Sequence, residues 1–236
     1  MIIAGHQPEY LPYPGFFYKM MVSDKFVIVD NIQYEKKNWQ NRNRIRTPDG
    51  WSWLNVPVIT HGRREQLIKD VEINNETPWR QKTWQSIETS YRNAPYFEKF
   101  GPAFKKIFDQ EWNKLIDLNI AIIKTIMNIL QINKNIELTS SKKVSGQKTE
   151  LLINICKEYG ANTYLSGSGA EYVDEQLFEK TGFKHKVLKF NSPVYKQQFT
   201  EFEENLSILD MIFNLGENAK EIILKANEEN TQSIIS

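Results

Sequence analysis

The sequence predicts an α/β fold with a mainly parallel central sheet, a β-hairpin insertion and a helical middle segment. Three patterns carry that prediction. Short apolar runs at residues 2–4 and 25–30 enclose a helix-like stretch, the opening of a βαβ unit. Helical periodicity dominates residues 77–132. Strand-like and helix-like segments then alternate over 162–190, a second α/β segment expected to rejoin the first sheet.

Taken in order, Ile2, Ile3 and Ala4 form a short buried strand that runs straight into "HQPEYLPYPGFFYKM" at residues 6–20. Pro8, Pro12 and Pro14 each fix φ and remove a backbone donor, so this loop is held rather than floppy. Residues 15–22 suit a helical turn or two, and "KFVIVD" is a second buried strand ending in Asp30. Pro48, Asp49 and Gly50 between two alternating runs mark a β-hairpin. "IKDVEI" at 68–73 is a candidate further strand. Thr77 and Pro78 read as a helix start, a capping hydroxyl followed by proline at the first helical position. Three helices are expected to follow, with a break at "NAPYFEKFGP". "SGQKTELLINICKEYG" is an amphipathic helix stopped by Gly160. Strand "NTYLSG", helix "EYVDEQLFEKTG" and strand "HKVLKF" come next. "LSILDMIFNLG" is a helix capped by Ser207, with Asp210 three residues on and Gly216 at its end. The tail "EENTQSIIS" is polar enough to fray. No repeat and no linker-like stretch divides the chain, so one α/β domain over 1–236 is expected, mainly helical at about 77–132.

The chain has 236 residues, enough for a sizeable core, with 40% hydrophobic and 25% charged residues as in ordinary globular proteins. A net charge of +1 argues against wholesale nucleic-acid or membrane binding, so any anion site must be local. Cys156 is the only cysteine, which excludes an intrachain disulfide and favours a cytoplasmic home. Its amphipathic neighbours mark it as a buried, inert thiol. "MIIAGHQPEY" lacks the basic start and the apolar length of an export signal. No apolar stretch reaches the roughly 18–20 residues that span a bilayer, "NIAIIKTIMNIL" being interrupted by Lys124 and Asn128. No membrane insertion is expected.

In parallel sheets, ligands collect at the carboxyl ends of strands, which brings the His6 loop and Asp30 to one rim. A second stretch, "QYEKKNWQNRNRIR" at 33–46, sets Lys36, Lys37, Arg42, Arg44 and Arg46 against Glu35, with the amides Gln40, Asn41 and Asn43 among them. On a strand, the period of two points the three arginines to one face. Guanidinium forks suit phosphate or carboxylate, and beside a tryptophan they suit a nucleotide diphosphate. The same charges also suit a protected edge strand or a solvated hairpin. The amides favour a site, since solvated faces rarely need so many. A third stretch, "YLSGSGAEYVDEQLFEKTG", ends a strand in Ser166, Gly167, Ser168 and Gly169 before a helix. Freed backbone N–H groups at a helix start make an anion site, although an ordinary βα turn fits equally and no P-loop or dinucleotide spacing is present. His6, His61, His185 and Cys156 offer no zinc spacing. There is no G-x-S-x-G elbow, no spacing that supports a Ser–His–Asp site, and no carboxylate pair of the glycosidase kind. The tryptophans and tyrosines read chiefly as core.

"HQPEYLPYPGFFYKM", "VDNIQYEKKNWQNRNRI", "WLNVPV", "YLSGSGAEYVD" and "LSILDMIFNLG", in this order along nearly the full chain, resemble the WbqC-like family. These are bacterial proteins often encoded in O-antigen and other surface-polysaccharide clusters. The resemblance implies a cytoplasmic protein that acts in making or decorating a sugar carried on a nucleotide. It brings no established catalytic residue, but His6, Gln7, Tyr10, Lys19, Asp30, Gln33, Asn38, Gln40, Asn41, Arg42 and Arg44 occupy its motif blocks. A fainter, fold-level likeness is to nucleotidyltransferase-like α/β enzymes, from whose paired-histidine signature the H-Q-P order departs.

The leading expectation is therefore an enzyme that transfers or ligates an acyl or aminoacyl group onto the amine of a nucleotide-linked amino sugar. Arg42, Arg44 and Lys36 would hold the diphosphate, and Trp39 or Tyr34 would stack on base or sugar. His6 is the candidate general base because imidazole titrates near working pH. Gln7 beside it is a further candidate catalytic residue, and Asp30 would orient His6 or hold a metal. Tyr10, Lys19, Gln33, Asn38, Gln40, Asn41, Ser166, Gly167, Gly169 and Tyr172 complete the candidate binding set. The cofactor is unspecified; ATP with magnesium, or an acyl or aminoacyl donor, would fit. His6 could instead pin the proline loop through backbone carbonyls. Two other classes remain open: a non-catalytic sugar-nucleotide binder, which needs the arginines but no base, and an RNA binder using residues 42–46 with aromatic stacking. RNA binding would weaken steeply with salt, and the near-neutral net charge disfavours it.

Overall fold

The computed structural model describes residues 1–63, 65–142 and 144–235. The chain opens as β1 (Ile2–His6), α1 (Pro14–Val22) and β2 (Lys25–Ile28). The hairpin β3 (Arg42–Thr47) and β4 (Gly50–Asn55) follows, then α2 (Trp79–Tyr91), α3 (Phe97–Asp109) and α4 (Leu115–Ile129). Next come β5 (Ile136–Leu138), α5 (Lys148–Tyr159), β6 (Thr163–Ser166), α6 (Glu175–Thr181) and β7 (Lys184–Val187). Three helices end the chain: α7 (Leu209–Leu215), α8 (Ala219–Lys225) and α9 (Glu228–Ile235).

The main sheet has the order β5-β2-β1-β6-β7 and every pairing in it is parallel. Both faces are covered, so the central strands are apolar at successive positions. Ala4, Phe26, Ile28 and Leu165 face the larger core, with α1, the hairpin, α2–α4 and α7–α8. Ile3, Val27, Val29 and Tyr164 face the other, under Leu151, Leu152 and Ile155 of α5 and Phe178 of α6. From β1 the chain steps to β2 on one side; from β6 it steps to β7 on the other. The boundary between β1 and β6 is therefore a topological switch point, where departing loops leave a crevice at the carboxyl ends.

The proline loop between β1 and α1 lies inside this architecture rather than on it, so its polar backbone needs partners. Asn119 of α4, fully buried, donates Nδ2 to the carbonyls of Pro8 at 2.9 Å and Gln40 at 2.8 Å. Asn43 donates Nδ2 to the carbonyls of Tyr10 at 3.2 Å and Leu11 at 2.8 Å. Ile208 N serves the Pro12 carbonyl and Phe16 N that of Tyr13, while Tyr10 N donates to the Trp39 carbonyl. Leu11 is held at φ 47°, a left-handed conformation costly for leucine, between these bonds.

The hairpin forms about Pro48 and Asp49, with Gly50 at φ 114° accepting the left-handed geometry of the turn. Arg46 shares the face of Arg42 and Arg44 by period but is buried: its guanidinium donates to the carbonyls of Thr47, Gly50 and Glu201. Its backbone N–H donates to the Tyr91 hydroxyl, which donates to Asp210 at 3.0 Å. Burial pushes the Asp210 carboxyl up to about 6, against the opposing bonds from Tyr195 and Tyr91 and the nearby Arg46 charge.

Several local expectations change. Residues 68–73 are no strand: Ile68–Asp70 is a single 3₁₀ turn, because Ile68 N and Lys69 N bond the Ile32 and Asp30 carbonyls rather than a ladder. At the start of α2, Pro78 is the N-cap and no side chain caps; Trp79 N bonds the backbone carbonyl of Thr77. The break before α3 is shorter than "NAPYFEKFGP", since α3 runs through Pro102 and absorbs one lost bond. Ile208 rather than Ser207 is the N-cap of α7, which begins at Leu209, while Ser207 Oγ accepts from Leu209 N at 3.3 Å. The glycine turn does not head a helix either. α6 starts only at Glu175, capped by Asp174, whose Oδ1 accepts from Leu177 N at 3.1 Å. The tail is helical rather than frayed, because Lys186 donates to the Ile234 carbonyl at 2.8 Å and Tyr18 bonds the Thr231 hydroxyl at 2.9 Å.

The two bonds from Asn119 give the first prediction. Asn119→Ala leaves the Pro8 and Gln40 carbonyls buried without that donor and should lower unfolding stability by roughly 2–4 kcal/mol. Denaturant unfolding checks this; a loss under about 0.5 kcal/mol, the scatter of surface substitutions, would mean water serves both carbonyls equally well.

Candidate functional site

A cleft of about 270 Å³ opens at the carboxyl ends of β1, β2 and β6, over the switch point. Of the residues singled out from the sequence, His6, Gln7, Lys19, Ser166, Gly167, Gly169 and Tyr172 line it. Gly5, Val29, Ile32, Leu151, Leu152, Tyr164 and Ala170 supply the rest of its wall. The remaining candidates lie outside it, and their positions have physical reasons.

Asp30 is fully buried at the end of β2, but it does not meet His6. Its carboxylate accepts from the backbone N–H of Ser140 at 2.9 Å, the Ser140 hydroxyl at 2.6 Å and the Thr139 hydroxyl at 3.2 Å. Among the described residues, no group of three or more His, Cys, Asp or Glu side chains converges as metal ligands. Gln40 is fully buried: its amide donates to Gln7 Oε1 at 2.6 Å and accepts from Glu35 N at 3.2 Å, so it positions Gln7 from behind. Asn41 donates to the Val56 carbonyl at 2.9 Å. Tyr10 and Tyr34 are core residues whose hydroxyls are held protonated by burial; the Tyr34 pKa is pushed up to about 12. Gln33 bridges to Leu67, and Asn38 pairs with Glu35 at 2.7 Å.

The arginine face is built as expected from a strand, yet it stands apart from the cleft lining. The Arg42 guanidinium lies 4.2 Å over the Trp53 ring and Arg44 lies 4.9 Å over Trp51. Arg44 also donates to the Asn205 carbonyl at 3.1 Å. Trp39 and Trp51 are exposed, as is Lys36. The indoles cover guanidinium faces, whereas phosphate is bound through the in-plane N–H edges.

Two titratable residues of the cleft wall, His6 and Lys19, form a cluster of three with the buried Glu9 behind them. Lys19, in the last turn of α1, is buried and donates Nζ to the Gly5 carbonyl at 2.9 Å. His6 Nδ1 sits 3.0 Å from the Gln7 carbonyl, so that nitrogen carries the proton and Nε2 is left as an acceptor. Nε2 faces Glu9 Oε1 at 3.7 Å. Burial, then the Lys19 charge, hold the His6 pKa well below its ordinary value, with the Gln7 carbonyl opposing. The imidazole is consequently neutral through the working range and does not titrate there, contrary to the sequence expectation. Burial pushes the Glu9 carboxyl up to about 8 against the Lys19 charge, and pulls the Lys19 amine down to about 8 against the Glu9 charge. The groups that exchange protons near neutrality are thus Glu9 and Lys19. Glu9 was passed over in the sequence; its only signal was a carboxylate three positions beyond His6.

On the opposite wall, Ser166 ends β6 and its Oγ lies 2.7 Å from His185 Nε2. His185 Nδ1 lies 2.6 Å from Glu175 Oε1. The residues come from β6, β7 and α6, so no fixed spacing advertised them. Cys156 is buried, with its thiol pushed up to about 12 by burial, as an inert core residue should be.

A model of the WbqC-like protein family matches residues 7–222, and the chain belongs to that family. An uncharacterised protein of Mycobacterium tuberculosis, Rv1507c, is 33% identical over 224 residues, covering 94% of this chain and 96% of that protein. No solved structure matches. Among the described residues, no helix is long and apolar enough to cross a membrane.

The Glu9 environment gives the second prediction. With its pKa raised from 4.5 to about 8 on folding, the native state binds more protons than the unfolded chain between those values. That contribution to stability is complete below pH 4.5 and is lost as pH rises through about 8. Glu9→Gln removes the dependence, so its thermal midpoint relative to wild type should climb from pH 5 to pH 8. A gap that is flat or shrinks across that range would show Glu9 already ionised in the folded protein.

Proposed function

We propose that this member of the WbqC-like family is a cytoplasmic enzyme of bacterial surface-polysaccharide synthesis, working on the O-antigen portion of lipopolysaccharide. It transfers or ligates an acyl or aminoacyl group onto the amine of a nucleotide-linked amino sugar. The observation that carries this reading is the switch-point cleft, with a buried lysine and a neutral imidazole on one wall, backed by the proton-exchanging Glu9 carboxyl, and a glycine turn on the other. Such a cleft at strand carboxyl ends is where nucleotide ligands bind in parallel sheets. The Lys19 charge and the unobstructed backbone of Gly167 and Gly169 suit a diphosphate; a Cβ at either glycine would meet nothing within 4 Å. Tyr172, exposed at the rim, offers a ring for stacking on base or sugar.

The chemistry follows from the titrations. An amine attacks a carbonyl only as the free base, so the acceptor ammonium must lose a proton in the cleft. Glu9 and Lys19, both displaced to about 8, can take it at working pH, while neutral His6 accepts a hydrogen bond at Nε2 and orients the amine. An acyl or aminoacyl donor completes the reaction, or ATP with magnesium if the bond is made by ligation. A second reading has an observation of its own: the exposed Trp39 and Trp51 with Arg42 and Arg44 form a cationic stacking surface suited to single-stranded RNA.

A thermal-shift panel separates these readings. The probes are UDP-, GDP- and dTDP-linked amino sugars, ATP with magnesium, acyl-CoA and a short RNA. At about a hundred times its dissociation constant, a ligand stabilises the fold by roughly 2.7 kcal/mol. One sugar nucleotide should raise the midpoint in wild type and in Arg42→Ala/Arg44→Ala but not in Lys19→Met, and the same compound should then serve as acyl acceptor. Stabilisation by RNA alone, or by nothing in the panel, overturns the sugar-nucleotide reading. Stabilisation by a sugar nucleotide with no turnover in the presence of any donor leaves a binding protein.

A further inference from the structure

We propose that Ser166 is a covalent nucleophile, activated by His185 as general base, with Glu175 as the positioning residue. It accepts the acyl group from an activated ester or thioester. This rests on the acyl-transfer reading for the final acceptor, but the nucleophile itself stands on geometry alone.

Ser166 and His185 lie on one face of the sheet, on neighbouring parallel strands. Tyr164 pairs with His185 and Ser166 with Val187, so the serine and the imidazole are diagonal neighbours. Oγ to Nε2 is 2.7 Å, and Nδ1 to Glu175 Oε1 is 2.6 Å. A carboxylate only accepts, so Glu175 assigns the proton to Nδ1 and leaves the Nε2 lone pair directed at the serine hydroxyl. That is the tautomer a general base requires. The His185 side chain is 1% exposed, covered by Phe178, whose ring stacks on it at 5.1 Å, while Glu175 is 60% exposed. The acid therefore acts more by fixing the ring than by its charge, which water screens. Two features distinguish this from a structural hydrogen bond. Both imidazole nitrogens spend themselves on side chains rather than on backbone, and the serine is part of the cleft wall beside Gly167 and Lys19. The serine also terminates a parallel strand at a glycine-rich turn, at the carboxyl-end rim where α/β sheets bind their ligands.

The reaction balances without ATP. Ser166 Oγ bonds to the donor carbonyl carbon while its proton passes to His185 Nε2. The C–O or C–S bond breaks, and the leaving alcohol or thiol departs with that proton. The amine of the sugar then attacks the acyl-serine, gives a proton to His185, and Oγ leaves carrying it. The sum is an ester or thioester plus an amine giving an amide plus an alcohol or thiol. Transfer from a preformed activated acyl donor is thus selected over ATP-dependent ligation.

The test uses the full chain and a fluorophosphonate, which forms a P–O bond to an activated serine and expels fluoride. Intact mass should show one adduct, and peptide mapping should place it on Ser166. Ser166→Ala should take no label. His185→Asn and His185→Gln should each slow labelling by about 100-fold or more while still unfolding in one cooperative transition. Glu175→Gln should slow it less and move the pH midpoint of the labelling rate toward acid, which a purely structural role would not do. Label on another residue, no label on folded wild type, or a rate indifferent to both His185 variants overturns the proposal. Because the probe contains no sugar nucleotide, labelling without sugar-nucleotide binding would uphold the nucleophile and discard the acceptor. Binding without labelling would do the reverse.

Discussion

The arrangement depends on how the buried proline loop finds hydrogen-bond donors. Pro8, Pro12 and Pro14 remove three backbone N–H groups from a segment packed inside the protein, yet its carbonyls still have to be satisfied. Asn119 and Asn43 supply side-chain N–H groups to Pro8, Tyr10 and Leu11, and Ile208 supplies a backbone donor to Pro12. These donors come from α4, β3 and the start of α7. Three distant parts of the chain are thereby tied to the segment that leaves β1. The direction in which His6 and Gln7 leave the sheet is set by helices and a hairpin that never touch the cleft. Gln40 extends the same logic by holding the Gln7 amide from behind.

Rigidity of this kind is what allows the titrating groups to be desolvated. A lysine and a carboxyl in a mobile loop would recruit water and recover their ordinary pKa values. Here Lys19 is anchored to the Gly5 carbonyl on a helix, and Glu9 is held by a loop bonded on both sides. Burial can then move both to about 8 and keep them there. The shifts cost stability, and the large aromatic cluster of Phe16, Phe17 and Phe26 beneath the site helps to offset it.

Much of the frame was legible from the residues. The βαβ opening, the Pro48–Asp49 hairpin, three middle helices and the Gly160 and Gly216 stops each have a local cause that a sequence displays. The site was legible only in part, and the misreadings share a reason. The amides at 40–43 looked like ligand groups because a solvated hairpin does not need them. Their real targets lie within the fold: Asn43 serves the Tyr10 and Leu11 carbonyls of the proline loop about thirty positions away, Gln40 the Gln7 amide, and Asn41 the Val56 carbonyl. His6 looked like the titrating base because its burial is a tertiary property. Ser166 was noticed for its glycines, but its partner His185 becomes adjacent only through a parallel pairing with no fixed spacing.

The two walls of the cleft then divide a problem that one residue cannot solve. Acylation of a serine needs a base that is neutral when the hydroxyl attacks and able to return the proton to a leaving group, which an imidazole oriented by a carboxylate can do. Attack by a sugar amine needs the opposite start, a proton removed from a cation in a partly dry site. His6, kept neutral beside Lys19, is a poor acceptor of that proton, whereas the Glu9–Lys19 pair lies near the right range. Parallel pairing of β1 with β6 sets these groups on adjacent strand ends, with Gln7 and Lys19 on one side and Ser166 and Gly167 on the other. A sheet that continued in one direction would place a crossover helix over that junction. The reversal at β1 and β6 leaves it open, and the same topology that closes the two cores therefore gives both steps a common space.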